Sequence, residues 1–208
     1  ALPWLVKELI DFPVEEAVMD SFPMITPTGQ ARKVYAVIAR TASLQRLQQS
    51  LISAGFNLLG INITELALSA LLSPLTAEDE SSAILMLYSD CYQIVVNQGK
   101  HLYFARIIQD TAGTLMMKQQ SSDADDISLE IQRSLDYSQA QMHQAVPVSL
   151  YLAPSLADES AVLSQLTQNL MTSVRPLDLS KLMTFQVEMD AMMRAYCLCA
   201  LAEAVRVG

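Results

Sequence analysis

The 208-residue chain has few of the features that a nucleic-acid binder, a metalloprotein or a membrane protein would need. Its 13 Lys and Arg stand against 22 Asp and Glu, for a net charge of −9, and the cations are scattered. Phosphate backbones are neutralised by clustered cations, so nucleic acid is excluded as a partner and an anionic lipid surface is disfavoured. Cysteine is scarce: Cys91, Cys197 and Cys199 form no disulfide framework, and the last two point apart on an expected helix. They read as structural thiols in a reducing compartment, which makes the cytoplasm the expected location. The two histidines, His101 and His143, have no ligand-type neighbours at metal spacing, so no metal is expected. No apolar run reaches the ~20 residues that cross a bilayer, and no basic, apolar, cleavable start is visible, so direct membrane insertion is not expected. GxSxG, HExxH and Walker motifs are also absent. No nucleophile stands beside a base at a spacing that supports catalysis, and the expectation is that the chain is not an enzyme.

What is present is apolar. Hydrophobic residues make up 51% of the chain, so it can bury one large core or two small ones, and disorder is excluded. The excess suits either a large core or surface covered by partners. The organising stretch is Ser81–Ile108, which reads as three short strands at 83–88, 92–97 and 101–107. The first is an almost unbroken apolar run, as in a strand covered on both faces. Gln98-Gly99-Lys100 suits a hairpin turn. In the third strand Leu102, Phe104 and Ile107 are set against His101, Tyr103 and Arg106, with a slip of one residue at its end. A covered strand followed by an antiparallel meander predicts an α/β fold of the actin-like or ribonuclease-H-like kind, with mixed sheets and flanking helices.

In chain order, residues 1–11 predict a helix stopped before Pro13. A turn is expected over 14–19, a loop over 22–29, and a strand over 33–39. The helix over 41–54 is closed by Gly55 at a left-handed cap. A strand over 56–61 and a helix over 65–72, capped by Thr64, follow. The acidic stretch 76–81 reads as a linker, dividing 1–75 from 82–208. Beyond the meander, 109–123 reads as loop and 125–145 as a long helix with Ile127, Ile131, Leu135 and Met142 on one stripe. Strands at 148–152 and 174–177 alternate with helices at 159–171 and 188–205. The last helix is apolar round much of its circumference, which predicts burial, with Met189, Met192 and Met193 as core filler. The chain opens inside an amphipathic pattern carrying its only tryptophan, Trp4, so it is expected to continue a longer protein whose first subdomain lies upstream.

Four phrases carry a resemblance: LPWLVKELIDFPVEEAVMDSF, GFNLLGINITELAL, LYFARII and EIQRSLDYSQ. In this order they resemble the PilM-type pilus assembly proteins, nearest to the MshI-like branch that serves the mannose-sensitive haemagglutinin (MSHA) pilus. The resemblance implies an actin-like fold, with 1–75 as the remainder of a first half and 82–208 as the second half. It implies a cytoplasmic scaffold that docks the tail of a PilN-like inner-membrane protein on a groove of the first half, with coupling towards the assembly ATPase. In that family a glycine-bearing phosphate turn would fall near Leu87-Tyr88-Ser89-Asp90, and a glycine-rich adenosine turn would follow the strand over 148–152. Here those places read LYSDCY and LAPSLADES, with no glycine and with Pro154. Without glycine the main chain cannot close on a phosphate, so no cofactor is expected, ATP included. Two alternatives remain open: an ATP-binding actin-like protein with its main phosphate turn upstream, and the cytoplasmic domain of a GspL-type secretion protein.

The candidate positions follow from that mapping. Ser89 and Asp90, the latter a possible organiser of a metal-bound water, also read as ordinary turn residues. Ser155, Asp158 and Glu159 are candidates for touching a nucleotide, and equally read as the cap and first-turn acids of the next helix. Arg106 and Arg133 are candidate cleft cations or surface charges, and Glu130 and Ser134 are helix neighbours at ordinary spacing. Trp4 is a candidate partner anchor, or packs on the upstream subdomain.

Overall fold

A computed structural model describes residues 2–25, 31–109, 124–142, 146–156 and 159–207. The chain forms two compact units, Ala1–Asn62 and Ile63–Gly208.

The second unit is built on one five-stranded sheet. β3 (Ser81–Leu87), β4 (Cys91–Gln98) and β5 (His101–Gln109) form the expected antiparallel meander. β6 (Ser149–Leu152) pairs parallel with β3, and β7 (Ser173–Pro176) pairs parallel with β6. The spatial order β5-β4-β3-β6-β7, with only β4 running against the rest, is that of the ribonuclease-H-like sheet in one half of an actin-like fold. Every residue of β3 is buried, which is why its apolar run shows no alternation.

Opposite faces of the sheet carry different helices. Asn97 on β4 donates to the Ser69 carbonyl of α3 (Thr64–Leu72) at 2.9 Å, which places α3 on that face. Phe104 of β5 stacks at a tilt on Tyr137 of α4 (Ala124–Met142), and Arg106 donates to Ser134 of the same helix. Phe104 pairs with Val96, the neighbour of Asn97, so α4 covers the other face. The stripe expected on α4 is buried at Ile127, Ile131 and Leu135, while the side chain of Met142 lies outside the described residues. α5 (Glu159–Asn169) links β6 to β7 and packs on α4, and α6 (Ala191–Val207) packs on α3.

β5 carries a bulge at Tyr103, near its start and not at the end where the slip in the alternation falls: Val96 faces Phe104 and Asn97 faces Leu102, leaving one residue over. The extra residue swaps the faces, so Tyr103 and Ile108 are buried and Ile107, expected inside, is 52% exposed. α6 also departs from expectation. Its buried stripe is narrow, with Leu198 and Ala202 against α3, and Met192 and Met193 stand exposed rather than filling the core. Asp190 caps it by accepting the Met193 amide at 2.7 Å. The stretch 76–81 is an inner connection of this unit, because α3 is buried on the sheet and on α6 and so belongs with 82–208. Thr76 in that stretch is itself buried and hydrogen-bonded to Leu72 and Ser82. Thr64 is the first helical residue of α3, with Ile63 in the capping position and no side-chain cap.

The first unit is smaller and more open. α1 spans only Leu2–Val6 of the stretch expected to be helical. A short 3-10 turn at Val14–Glu16 leads into β1 (Ala17–Pro23), which takes up most of a region read as turn and loop. β1 pairs antiparallel with β2 (Val34–Arg40), and Phe22 stacks on Tyr35 across the pair at 5.1 Å. α2 (Thr41–Ser53) ends as its Gly55 signal predicts. Gly55 has φ +85°, its amide donates to Ile52 and the Phe56 amide to Leu51, the two bonds of a Schellman cap. The strand expected over 56–61 does not form. The chain there lies without regular structure, and no ladder bond is made to it among the described residues.

Candidate functional site

β3 and β6 are adjacent parallel strands, and the connections leave them in opposite directions across the sheet. The crevice outside the carboxyl ends at such a point is where open α/β sheets take ligands. Leu85 pairs with Leu152, and the Ala153 amide extends the ladder to the Leu85 carbonyl at 2.8 Å. Ser89, Asp90 and Ser155 are therefore brought to one end of the sheet. Asp158 lies outside the described residues, as does His143.

The local chemistry of that end is self-satisfied. Ser89 and Asp90 are exposed residues of a tight turn closed by the Tyr88 amide on the Cys91 carbonyl at 2.8 Å. After Pro154, the Ser155 amide is given to the Glu159 carboxylate at 3.1 Å. The Ser155 side chain makes no capping bond among the described residues. It is buried, and its Oγ has no partner among the described residues. Glu159 suits the positive end of α5, and it holds a main-chain donor that an incoming phosphate would have to win.

Beneath this edge is a polar cluster that the sequence reading missed. Tyr88 donates to Gln93 at 3.1 Å, and Gln93 donates to the Glu65 carboxylate of α3 at 2.8 Å. Its signal is in the sequence: Gln93 and Asn97 are amides four apart that flank the apolar run Ile94–Val96, so they share a face. Burial, then the nearby Cys199, Cys91 and Glu65, push the Tyr88 hydroxyl up to about 12, against a pull the other way from Thr64. Below pH 10 the phenol is neutral in both folded and unfolded chains. As pH rises from 10 towards 12 the unfolded chain ionises first, so this part of the stability is lost across that window. Tyr88→Phe is expected to remove one late-ionising phenol from an alkaline absorbance titration. A titration unchanged by the substitution would contradict the cluster. Burial also raises the Cys91 and Cys199 thiols above their usual value, which disfavours the nucleophilic thiolate. All three cysteines are unpaired.

Arg106 and Arg133 share the Glu130 carboxylate of α4, at 3.8 and 2.5 Å. Both are partly exposed charges held by that carboxylate. Among the described residues no group of His, Cys, Asp and Glu is placed to hold a metal ion, and no helix is long and apolar enough to cross a membrane.

The first unit carries an open groove of about 410 Å³. One face of α2 (Thr41, Leu44, Gln45 and Gln48) lines it, with Val18 of β1 and the extended stretch Leu58–Ile61. No charged residue lines it, and Leu59 is 92% exposed. Trp4, on α1 of the same unit, is 83% exposed.

No protein-family model matches the chain, and no curated protein is similar to it in sequence. Among solved structures, it is similar to a chain of a PilM–PilN type IV pilus biogenesis complex, at 18% identity. That match covers 98% of this chain and 70% of the other, with a TM-score of 0.69. A Bacteroides thetaiotaomicron protein of unknown function with an actin-like ATPase fold matches at 11% identity and a TM-score of 0.45, over 82% of this chain and 58% of its own. At 18% identity the likeness to the pilus complex is one of architecture, and with the strand order above it makes this chain an α/β protein of actin-like fold.

Proposed function

We propose that the chain is a non-catalytic scaffold of type IV pilus assembly, docking the cytoplasmic tail of a PilN-like inner-membrane protein on its first unit. In this reading it is cytoplasmic, peripheral to the inner membrane through its partner, coupled towards the assembly ATPase, and of the MSHA-like branch. The observation that carries the reading is the open, uncharged groove beside α2, on a frame shared with a chain of a PilM–PilN complex. The glycine-free turns at Ser89-Asp90 and Ser155 support the absence of a nucleotide. Calorimetric titration with a synthetic peptide of such a tail is expected to show saturable one-to-one binding. No heat with the tail of any inner-membrane assembly protein of the same machine would remove the reading.

One observation favours a second reading, an ATP-binding protein: the Ser155 hydroxyl is buried without a partner at the strand-end edge. Titration with a fluorescent ATP analogue separates the two. The scaffold reading expects no saturation, whereas saturable binding lost in Ser155→Ala would establish the alternative.

A further inference from the structure

The two units differ in the term that decides stability. Among the described residues of the first unit, Val6 is the only buried side chain. α2 runs for 13 residues without burying one, and its neighbours β1 and β2 form a sheet of two strands with no buried position. Such a ribbon is marginal in water. Trp4, Leu5, Leu9, Phe56 and Leu59 all stand exposed. The contacts that hold the unit together lie at its surface. Arg40 pairs with Asp11 at 3.3 Å and lies over the Phe12 ring at 4.3 Å, and the Thr41 hydroxyl donates to the Glu16 carbonyl at 2.8 Å. Polar contacts in water contribute little net stability. In the second unit, by contrast, all of β3 is buried, and α3 and α4 each bury an apolar stripe. Ordering the chain costs conformational entropy at every residue, and apolar burial is what offsets it. The first unit pays that cost with almost no burial in return.

We propose that the first unit folds and unfolds by itself while the second stays native, an order–disorder device built into the fold. The boundary of the opening unit is the division at Asn62. Local openings of this kind follow cooperative units with few buried contacts, and the first unit is one. Its surface exists only while β1, β2 and α2 are assembled. Any molecule that binds only the folded form therefore shifts the equilibrium towards order, and its apparent affinity is reduced by the fraction of chains not yet ordered. That consequence rests on the docking reading above; the equilibrium itself does not.

Native-state amide exchange of the whole chain, in urea too dilute to unfold β3 and β4, is the direct test. Amides of β1 and β2 are expected to be protected about a hundredfold or less, and those of β3 and β4 about ten-thousandfold or more. Val6→Ala removes the one buried side chain. It is expected to lower protection in β1 and β2 about tenfold and to leave β3 and β4 unchanged. Equal protection of the two sheets, lost together at one urea concentration, would overturn the proposal. So would a Val6→Ala loss shared equally by both sheets. The linked consequence is read with a synthetic peptide of the PilN-like protein's cytoplasmic tail. At about a hundred times its Kd the peptide is expected to raise protection in β1 and β2 about a hundredfold, and in β3 and β4 not at all. If even millimolar peptide changed nothing while the two sheets stayed unequal, the folding equilibrium would stand and the docking reading would fall.

Discussion

Asn97→Asp is expected to leave the protein close to its original stability at pH 4 and to cost about 3–5 kcal/mol at pH 7. Asn97 is fully buried between β4 and α3, where its amide nitrogen donates to the Ser69 carbonyl. A protonated aspartic acid keeps a donor in nearly the same shape, so at acid pH the bond to Ser69 survives. Once ionised, the side chain offers only acceptors to a carbonyl and has no cation to meet, and burial disfavours the charge. The folded pKa of the new carboxyl is therefore raised above its unfolded value of about 4. Stability is retained below that value and lost as pH rises towards the folded pKa, by about 1.4 kcal/mol per unit. Urea unfolding at a series of pH values measures the slope. A cost that did not change between pH 4 and pH 7 would mean that Asn97 is not sealed beneath α3.

Gly99→Val is expected to cost about 2–4 kcal/mol by the same measurement. Gly99 opens the β4–β5 turn with φ +56°, where a β-branched residue is a steric outlier. Its surroundings add to the strain, because a Cβ there would stand 2.8 Å from the Glu78 carbonyl oxygen and 3.3 Å from two further backbone atoms of Glu78. Those are backbone atoms of the 76–81 connection, which the Gly99 amide also ties through the Glu80 carbonyl at 2.8 Å. The connection and the turn would have to part together. Gly55 is the control: its φ of +85° is similarly left-handed, yet nothing stands within 4 Å of an added Cβ. Gly55→Val therefore meets only the backbone term, about 1–2 kcal/mol. Equal losses at the two positions would show that the contact with Glu78 contributes nothing.

Much of the second unit was legible because its signals are local. The apolar run of β3, the Gly99 turn and the alternation of β5 are set by residues within a few positions of one another, and the meander follows from them. The bulge at Tyr103 and the exchange of Ile107 for Ile108 are not readable in the pattern, whose slip falls at the other end of the strand. Ser89, Asp90 and Ser155 follow the ends of their strands, and their meeting at one end of the sheet follows from the parallel pairing of β3 with β6. The Tyr88–Gln93–Glu65 cluster is not readable as a unit because Glu65 lies on α3, which only packing brings to the β3–β4 hairpin.

The misreadings share a cause of the opposite kind. By residue preference β1 reads as turn and loop, because Asp20, Ser21 and Pro23 are poor strand formers in isolation; its ladder with β2 overrides that preference. FNLLGI was read as strand on composition, but a strand also needs a partner, and none stands beside it among the described residues. The methionines of α6 read as core because a helix pattern reports apolarity, whereas burial depends on how wide a stripe the neighbouring helix covers.

By itself the order of residues determined the α/β class, the covered central strand, the meander with its glycine turn, and the lack of any glycine in the stretches LYSDCY and LAPSLADES. Those are properties of short stretches, governed by side-chain periodicity and by which residues tolerate which backbone angles. Only the tertiary structure decided which strands became neighbours, where α3 belonged, which apolar side chains stayed in water, and that the groove beside α2 carries no charge. Each of these depends on surfaces distant in the chain meeting or failing to meet, and on how much water that contact removes.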